Sequence, residues 1–188
     1  MLTETKVIDN FINPTYHNEI LKSLDSPNTD WYLQKNLSLV DQESNPKSFG
    51  FNRNYLTEDG WRPGAAVDFL KPLIFSIMEA VNSVQPIRVR ADMTMQSDDN
   101  HKHQVHIDLP IPNITTIFYV NQSDGNTIFF NERSNETGKL YEISDLTVKE
   151  EIEPKPNRLV IFDGYQLHTG CSPKEYSNRI LINSNYLV

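Results

Sequence analysis

The residues best placed to do chemistry are His106 and Asp108 in Gln104-Val105-His106-Ile107-Asp108-Leu109. Two positions apart on an extended chain, their side chains leave the same face and can reach one ion. Alone, an H-x-D triplet is as well explained by a solvent-facing strand. His168, in FDGYQLHTG just after an apolar run, offers a third ligand, or else a hydrogen-bonded histidine at a strand end. Two histidines and one carboxylate form a facial triad that leaves neighbouring coordination positions open. That arrangement suits iron(II) holding a bidentate co-substrate and dioxygen, whereas zinc is usually satisfied by four ligands. Eleven residues after His168, Arg179 opens the last apolar segment. A fixed guanidinium there can grip a carboxylate through two parallel hydrogen bonds; the alternative is a surface arginine at a strand entry. The combination in this order is harder to obtain by accident than any one part.

The elements that must carry these residues fall into two halves. In the first, residues 7–24 begin with a short strand-like piece, and Asn13-Pro14 then reads as a helix start. Residues 25–60 are rich in Ser, Asn, Asp and Pro, and read as loops with one or two edge strands around Trp31-Tyr32 and residues 37–40. From Ala65 to Val84, Val67, Leu70, Ile74, Ile77, Met78 and Val81 recur at spacings of three and four, predicting an amphipathic helix. After Pro86 the period changes. Strands are predicted over 88–96, 104–109, 115–121, 126–130, 158–163 and 179–187, with a further one or two in 139–152. Short strands without intervening helices suit an antiparallel barrel or a double-sheet jelly roll. The expected chain is a single mostly β domain, 1–188, with helical support and loops over 1–87 and a jelly-roll core over 88–188.

Bulk properties bound the function. With 25 acidic against 17 basic residues the net charge is −8, which opposes duplex nucleic acid as a partner. A local site for an anion is still open to Arg53, Arg62, Arg88 and Arg90. One cysteine, Cys171, cannot form an internal bridge, and the N-terminus shows no leader pattern, so a cytoplasmic setting is expected. No apolar run approaches the roughly 20 residues of a membrane span. Nothing fixes an oligomeric state.

Through H-I-D, T-T-I-F-Y-V-N, G-N-T-I-F-F, R-L-V-I-F-D-G-Y-Q-L-H-T-G and N-R-I-L-I-N, residues 88–188 resemble the 2-oxoglutarate- and Fe(II)-dependent oxygenases, in particular the prolyl-hydroxylase-like branch. The resemblance implies a double-stranded β-helix core in which His106, Asp108 and His168 are the catalytic metal ligands. Arg179 would pair with the distal carboxylate of 2-oxoglutarate. Tyr119 matches a tyrosine that bonds the same carboxylate, and Asn183 a polar position in the same pocket. Gln96 stands where the family often has a tyrosine, and it is the candidate to replace that contact. The implied activity couples oxidative decarboxylation of 2-oxoglutarate, with dioxygen, to hydroxylation of a prolyl or other amino-acid residue, a free amino acid or another small molecule. Strand parity keeps His101 and His103 as loop or rim residues. Phe51, Arg53, Tyr55, Trp61 and Arg133 are candidates for substrate contact. Two rival readings are a cupin-like metal protein, which leaves Arg179 and Tyr119 unexplained, and an idle binding module, which leaves the intact triad unexplained.

Overall fold

The computed structural model describes residues 2–35, 37 and 48–188. In chain order the elements are β1 (Lys6–Ile8), α1 (Pro14–Leu24), β2 (Tyr32–Gln34), β3 (Gly50–Thr57), β4 (Gly60–Trp61), α2 (Ala65–Val81), β5 (Pro86–Met95), β6 (Asn113–Tyr119), β7 (Thr127–Arg133), β8 (Val148–Ile152), β9 (Arg158–Asp163), β10 (Gln166–Gly170) and β11 (Asn178–Leu187). Helix α1 starts where Asn13-Pro14 predicts, with the Asn13 side chain accepting from the Thr15 N–H at 2.8 Å. Helix α2 stops at Val81, short of the expected Val84. Asn82 takes the left-handed conformation (φ 53°, ψ 43°) and its N–H closes on Glu79 and Met78 carbonyls, a conformation asparagine tolerates better than most residues.

Two antiparallel sheets face each other. The larger runs β1-β9-β6-β11-β5-β3-β2, with β4 on β3, and the smaller runs β10-β7-β8. Alternation along the strands sorts the residues into three layers. From the larger sheet, Val89, Ala91, Phe118, Leu159, Ile161, Ile180 and Ile182 point outward onto Ile20 and Leu24 of α1 and Leu70, Leu73, Ile74 and Ile77 of α2. Between the sheets lie Ile117, Tyr119, Phe129, Val160, Phe162 and Leu181. Behind the smaller sheet, Val105, Ile107, Ile128, Phe130 and Leu167 form a third cluster. The helices therefore brace the back of the large sheet, leaving its inner face for the cavity.

Several expectations are corrected. Residues 104–109 form no strand; only a single bridge joins His106 to His168. Pro110 and Pro112 follow closely, and without N–H groups they cannot extend a ladder. Conversely β10, polar and five residues long, was not expected, and 139–152 contributes the one strand β8. Strands β1 and β3, from the first half, join the large sheet, so the core is not confined to 88–188. Apart from Leu37, the edge strand expected at 37–40 lies outside the described residues. Among the described residues no helix is long and apolar enough to cross a membrane.

Candidate metal centre and the cavity beside it

Between β10 and the irregular segment before Asp108, the backbones of His106 and His168 exchange both hydrogen bonds, at 3.0 and 3.1 Å. This sets the two imidazoles side by side, 4.7 Å between ring centroids. Each Nδ1 donates to a backbone carbonyl two residues earlier: His106 to Gln104 at 2.9 Å and His168 to Gln166 at 3.0 Å. A carbonyl can only accept, so both Nδ1 atoms carry the proton and both Nε2 atoms keep a lone pair. Asp108 Oδ1 lies 3.8 Å from His106 Nε2, and one ligand atom from each of the three residues falls within 4.8 Å of the others.

The surroundings set the charge of His168 and Asp108. Burial first, and neighbouring His106 second, push the His168 imidazole down to about 4 against the opposing pull of Asp108. Phe162 and Phe129 pack on its ring, at centroid distances of 4.9 and 6.0 Å. Burial would raise the Asp108 carboxyl, but the Arg88 guanidinium leads the interactions that hold it well below the usual range. Arg88 Nη2 lies 2.9 Å from Oδ1, while Asn183 and Asn185 donate to Oδ2 at 3.0 and 3.2 Å. The result is an ionised Asp108 carboxylate beside a neutral His168 imidazole, the protonation state that metal binding requires of these ligands.

A cavity of about 70 Å³ opens next to the triad, walled by Arg90, Asp92, Thr94, His103, Thr127 and Arg179 among others. Arg179 is 5 % exposed. Its Nη1 donates to the Gly125 and Asn126 carbonyls at 2.7 and 3.3 Å, and its Nη2 donates to Thr94 Oγ1 at 3.4 Å. Nε is buried with no partner among the described residues. Of five guanidinium protons, the one on Nε and a second on Nη2 remain, and these form the side-on fork that matches a carboxylate.

Gly170 makes room for this arrangement, because a Cβ there would sit 2.3 Å from Arg179 Nη2. Gly170→Ala is expected to displace the guanidinium and to cost about 1–3 kcal/mol by overpacking. Thermal melts and ligand titrations on the variant check this; an unchanged melting temperature would show that Arg179 gives way freely.

The other residues singled out from the sequence scatter. Tyr119 stands behind the cavity wall and donates to Thr127 Oγ1 at 2.6 Å. Asn183 is on the wall, but its amide is committed to Asp108 and its carbonyl accepts from Arg88 at 3.1 Å. Gln96 is exposed, does not line this cavity and donates to the Lys174 carbonyl at 2.6 Å. Phe51, Arg53, Tyr55, Trp61 and Arg133 do not line this cavity; Arg53 and Tyr55 border a separate groove with Arg62, and Arg133 pairs with Asp163.

His103 is the larger correction. Expected as a loop or rim residue, it does lie in a loop, but it is buried and on the wall, with Nδ1 and Nε2 at 3.3 and 3.2 Å from the Ser48 and Ser172 hydroxyls. Parity fails because residues 101–108 are not a regular strand. Burial, then the Arg179 charge, pushes His103 down to about 3. The unfolded chain therefore takes up this proton near pH 6.5, and the folded chain only near 3. Stability from this group is complete above pH 6.5 and falls as pH drops toward 3. Urea unfolding of metal-free protein at stepped pH is expected to show that decline, shallower in His103→Gln.

Asp92 and Thr94 were missed from the sequence, and they share one face of β5 with Arg88 and Arg90, which were singled out only as candidates for a local anion site. The alternation in R-V-R-A-D-M-T carried that signal.

No protein-family model matches the chain, and no curated protein matches it. Solved structures do. A prolyl hydroxylase from Trichoplax adhaerens, in complex with a hypoxia inducible factor oxygen degradation domain peptide fragment, superposes with TM-score 0.67 at 16 % identity over 97 % of this chain and 83 % of that one. An oxidoreductase of the 2OG-Fe(II) oxygenase family from Burkholderia pseudomallei gives 0.67 at 8 % identity, over 97 % and 84 %. The epimerase SnoN, in complex with Fe3+, alpha ketoglutarate and nogalamycin RO, gives 0.64 at 9 % identity, over 97 % and 78 %. The fold is thus the jelly roll of the 2-oxoglutarate- and Fe(II)-dependent oxygenases, prolyl hydroxylases included. At these identities the likeness is one of fold.

Proposed function

We propose that this chain is a 2-oxoglutarate- and Fe(II)-dependent dioxygenase that hydroxylates an amino-acid, peptide or small-molecule substrate. The observation that carries the reading is the buried, half-satisfied Arg179 fork beside two Nε2 lone pairs and an ionised carboxylate. These donors fit iron(II) and a dicarboxylate together. When bound, the metal and 2-oxoglutarate supply the activation of dioxygen and the oxidation of a substrate C–H bond.

The protein's own contributions follow from its contacts. His106, His168 and Asp108 would hold the ion on one side. Arg88, Asn183 and Asn185 orient Asp108 and keep it charged. Arg179 would hold the distal carboxylate of 2-oxoglutarate, its own position set by the Gly125 carbonyl and Thr94. Ile117, Leu181 and Leu37 make the apolar part of the wall and would keep water from the interior. A cupin-like metal protein would have no use for the Arg179 fork.

The test is succinate formation from 2-oxoglutarate by iron-loaded protein exposed to air, with His106→Ala and Arg179→Ala alongside, and with a co-substrate binding titration because turnover without substrate is slow. Iron-dependent succinate absent from both variants supports the reading. Neither turnover nor 2-oxoglutarate binding with iron in place would end it.

A further inference from the structure

On the cavity wall, Arg90 and Asp92 stand two residues apart on β5 with their side chains on the same face. Arg90 Nε and Asp92 Oδ1 approach to 2.7 Å, but the N–H is misaligned, and Nε has no hydrogen-bond partner. The Nη atoms of Arg90 and Oδ2 of Asp92 make no hydrogen bond with any described residue. Both side chains retain some exposure, 23 % and 12 %, so they meet whatever enters. Their place is close to the chemistry. Arg90 pairs with Asn183 across the β5–β11 register, and Asn183 holds Asp108.

We infer that Arg90 and Asp92 form a recognition pair for a zwitterion, and that the substrate is a free α-amino acid rather than a residue within a peptide. The inference rests on the proposed oxygenase reading and narrows it. A free amino acid carries a carboxylate and an ammonium on one carbon. The carboxylate meets the open Nη edge of Arg90 with charge-assisted hydrogen bonds, and the ammonium meets Oδ2 of Asp92. A residue inside a peptide offers neutral amides at both places. Covering the pair with amides would desolvate a cation and an anion without replacing their water, which is costly. Arg88 and Arg179 do not compete for this role, because Arg88 is engaged by Asp108 and both asparagines, and Arg179 lies at the far end of the same strand pair opposite Thr94.

The experiment uses the full chain loaded with zinc(II) and 2-oxoglutarate, which together cannot turn over. Each of the common free L-amino acids is titrated in turn, followed by ligand-observed NMR. At least one should bind, with its carboxamide and its N-acetyl derivative each at least about tenfold weaker. Arg90→Gln should weaken the amino acid about 10- to 100-fold and leave its carboxamide little changed, the expectation for one or two charge-assisted hydrogen bonds. The carboxamide and N-acetyl arms probe the pair from the ligand's side without altering the protein. If 2-oxoglutarate binds but no amino acid does, or if the derivatives bind as tightly as the parent, the zwitterion site is overturned while the oxygenase reading stands. If 2-oxoglutarate itself does not bind, both fall.

Discussion

Asp108→Ala is expected to abolish succinate formation and to weaken Fe(II) binding by at least about 100-fold, since losing a mere orienting partner of a ligand typically costs 10- to 100-fold. The expectation rests on the environment of the carboxylate. Its oxygens receive Arg88, Asn183 and Asn185, and the Arg88 guanidinium holds its carboxyl well below the usual carboxylate range. The alanine variant also strands the Arg88 guanidinium, so a loss of fold has to be separated from a loss of metal. Asp108→Asn does this, because the amide keeps the shape while it surrenders the charge. Metal titration and circular dichroism on both variants are the measurements. Near-native Fe(II) affinity in a folded Asp108→Asn protein would remove this residue from the metal site.

Arg179→Ala is expected to weaken 2-oxoglutarate binding by about 10²- to 10⁴-fold while metal binding survives. Two charge-assisted hydrogen bonds at about 1.5–3 kcal/mol each give that span. Arg179→Lys should recover only part of it, because a lysine keeps the positive charge but not the planar fork, and its ammonium cannot satisfy the Gly125 and Asn126 carbonyls and a carboxylate in the same geometry. Calorimetric titration of 2-oxoglutarate into zinc-loaded variants separates the three proteins. Equal affinity in wild type and Arg179→Ala would mean that the buried, unpartnered Nε serves something else.

What could be read from the sequence divides along physical lines. The convergence of His106, Asp108 and His168 could be read from residue type and order, even though 104–109 forms no strand and His168 sits on the unexpected β10. β9 is buried on both faces and appears as the apolar run over 159–162, whereas β6 and β11 are as deeply buried but mix Thr115, Thr116, Asn183, Ser184 and Asn185 among their apolar residues. β10 is buried too, but Gln166, His168 and Thr169 satisfy their polar atoms through contacts that composition does not reveal, such as Gln166 with the Phe130 carbonyl and Thr169 with the His103 carbonyl. Gln96 was singled out by counting back from His106. The strand ends at Met95, and the Gln96 N–H turns to the Ser177 carbonyl, so a spacing carried across that turn loses its meaning. Asn183 was found as a position but not as a role, because its partner Asp108 is 75 residues away. The Arg90–Asp92 pair was visible as alternation on one strand; its nearness to the triad needed the register with β11.

The central claim is that one ion and one dicarboxylate share this cavity, and diffraction from crystals grown with zinc(II) and 2-oxoglutarate tests it most directly. The prediction is a single anomalous peak about 2.0–2.2 Å from His106 Nε2, His168 Nε2 and an Asp108 oxygen. The distal carboxylate of 2-oxoglutarate should lie against Nε and Nη2 of Arg179. A metal bound elsewhere, or a filled triad with 2-oxoglutarate away from Arg179, would contradict the account.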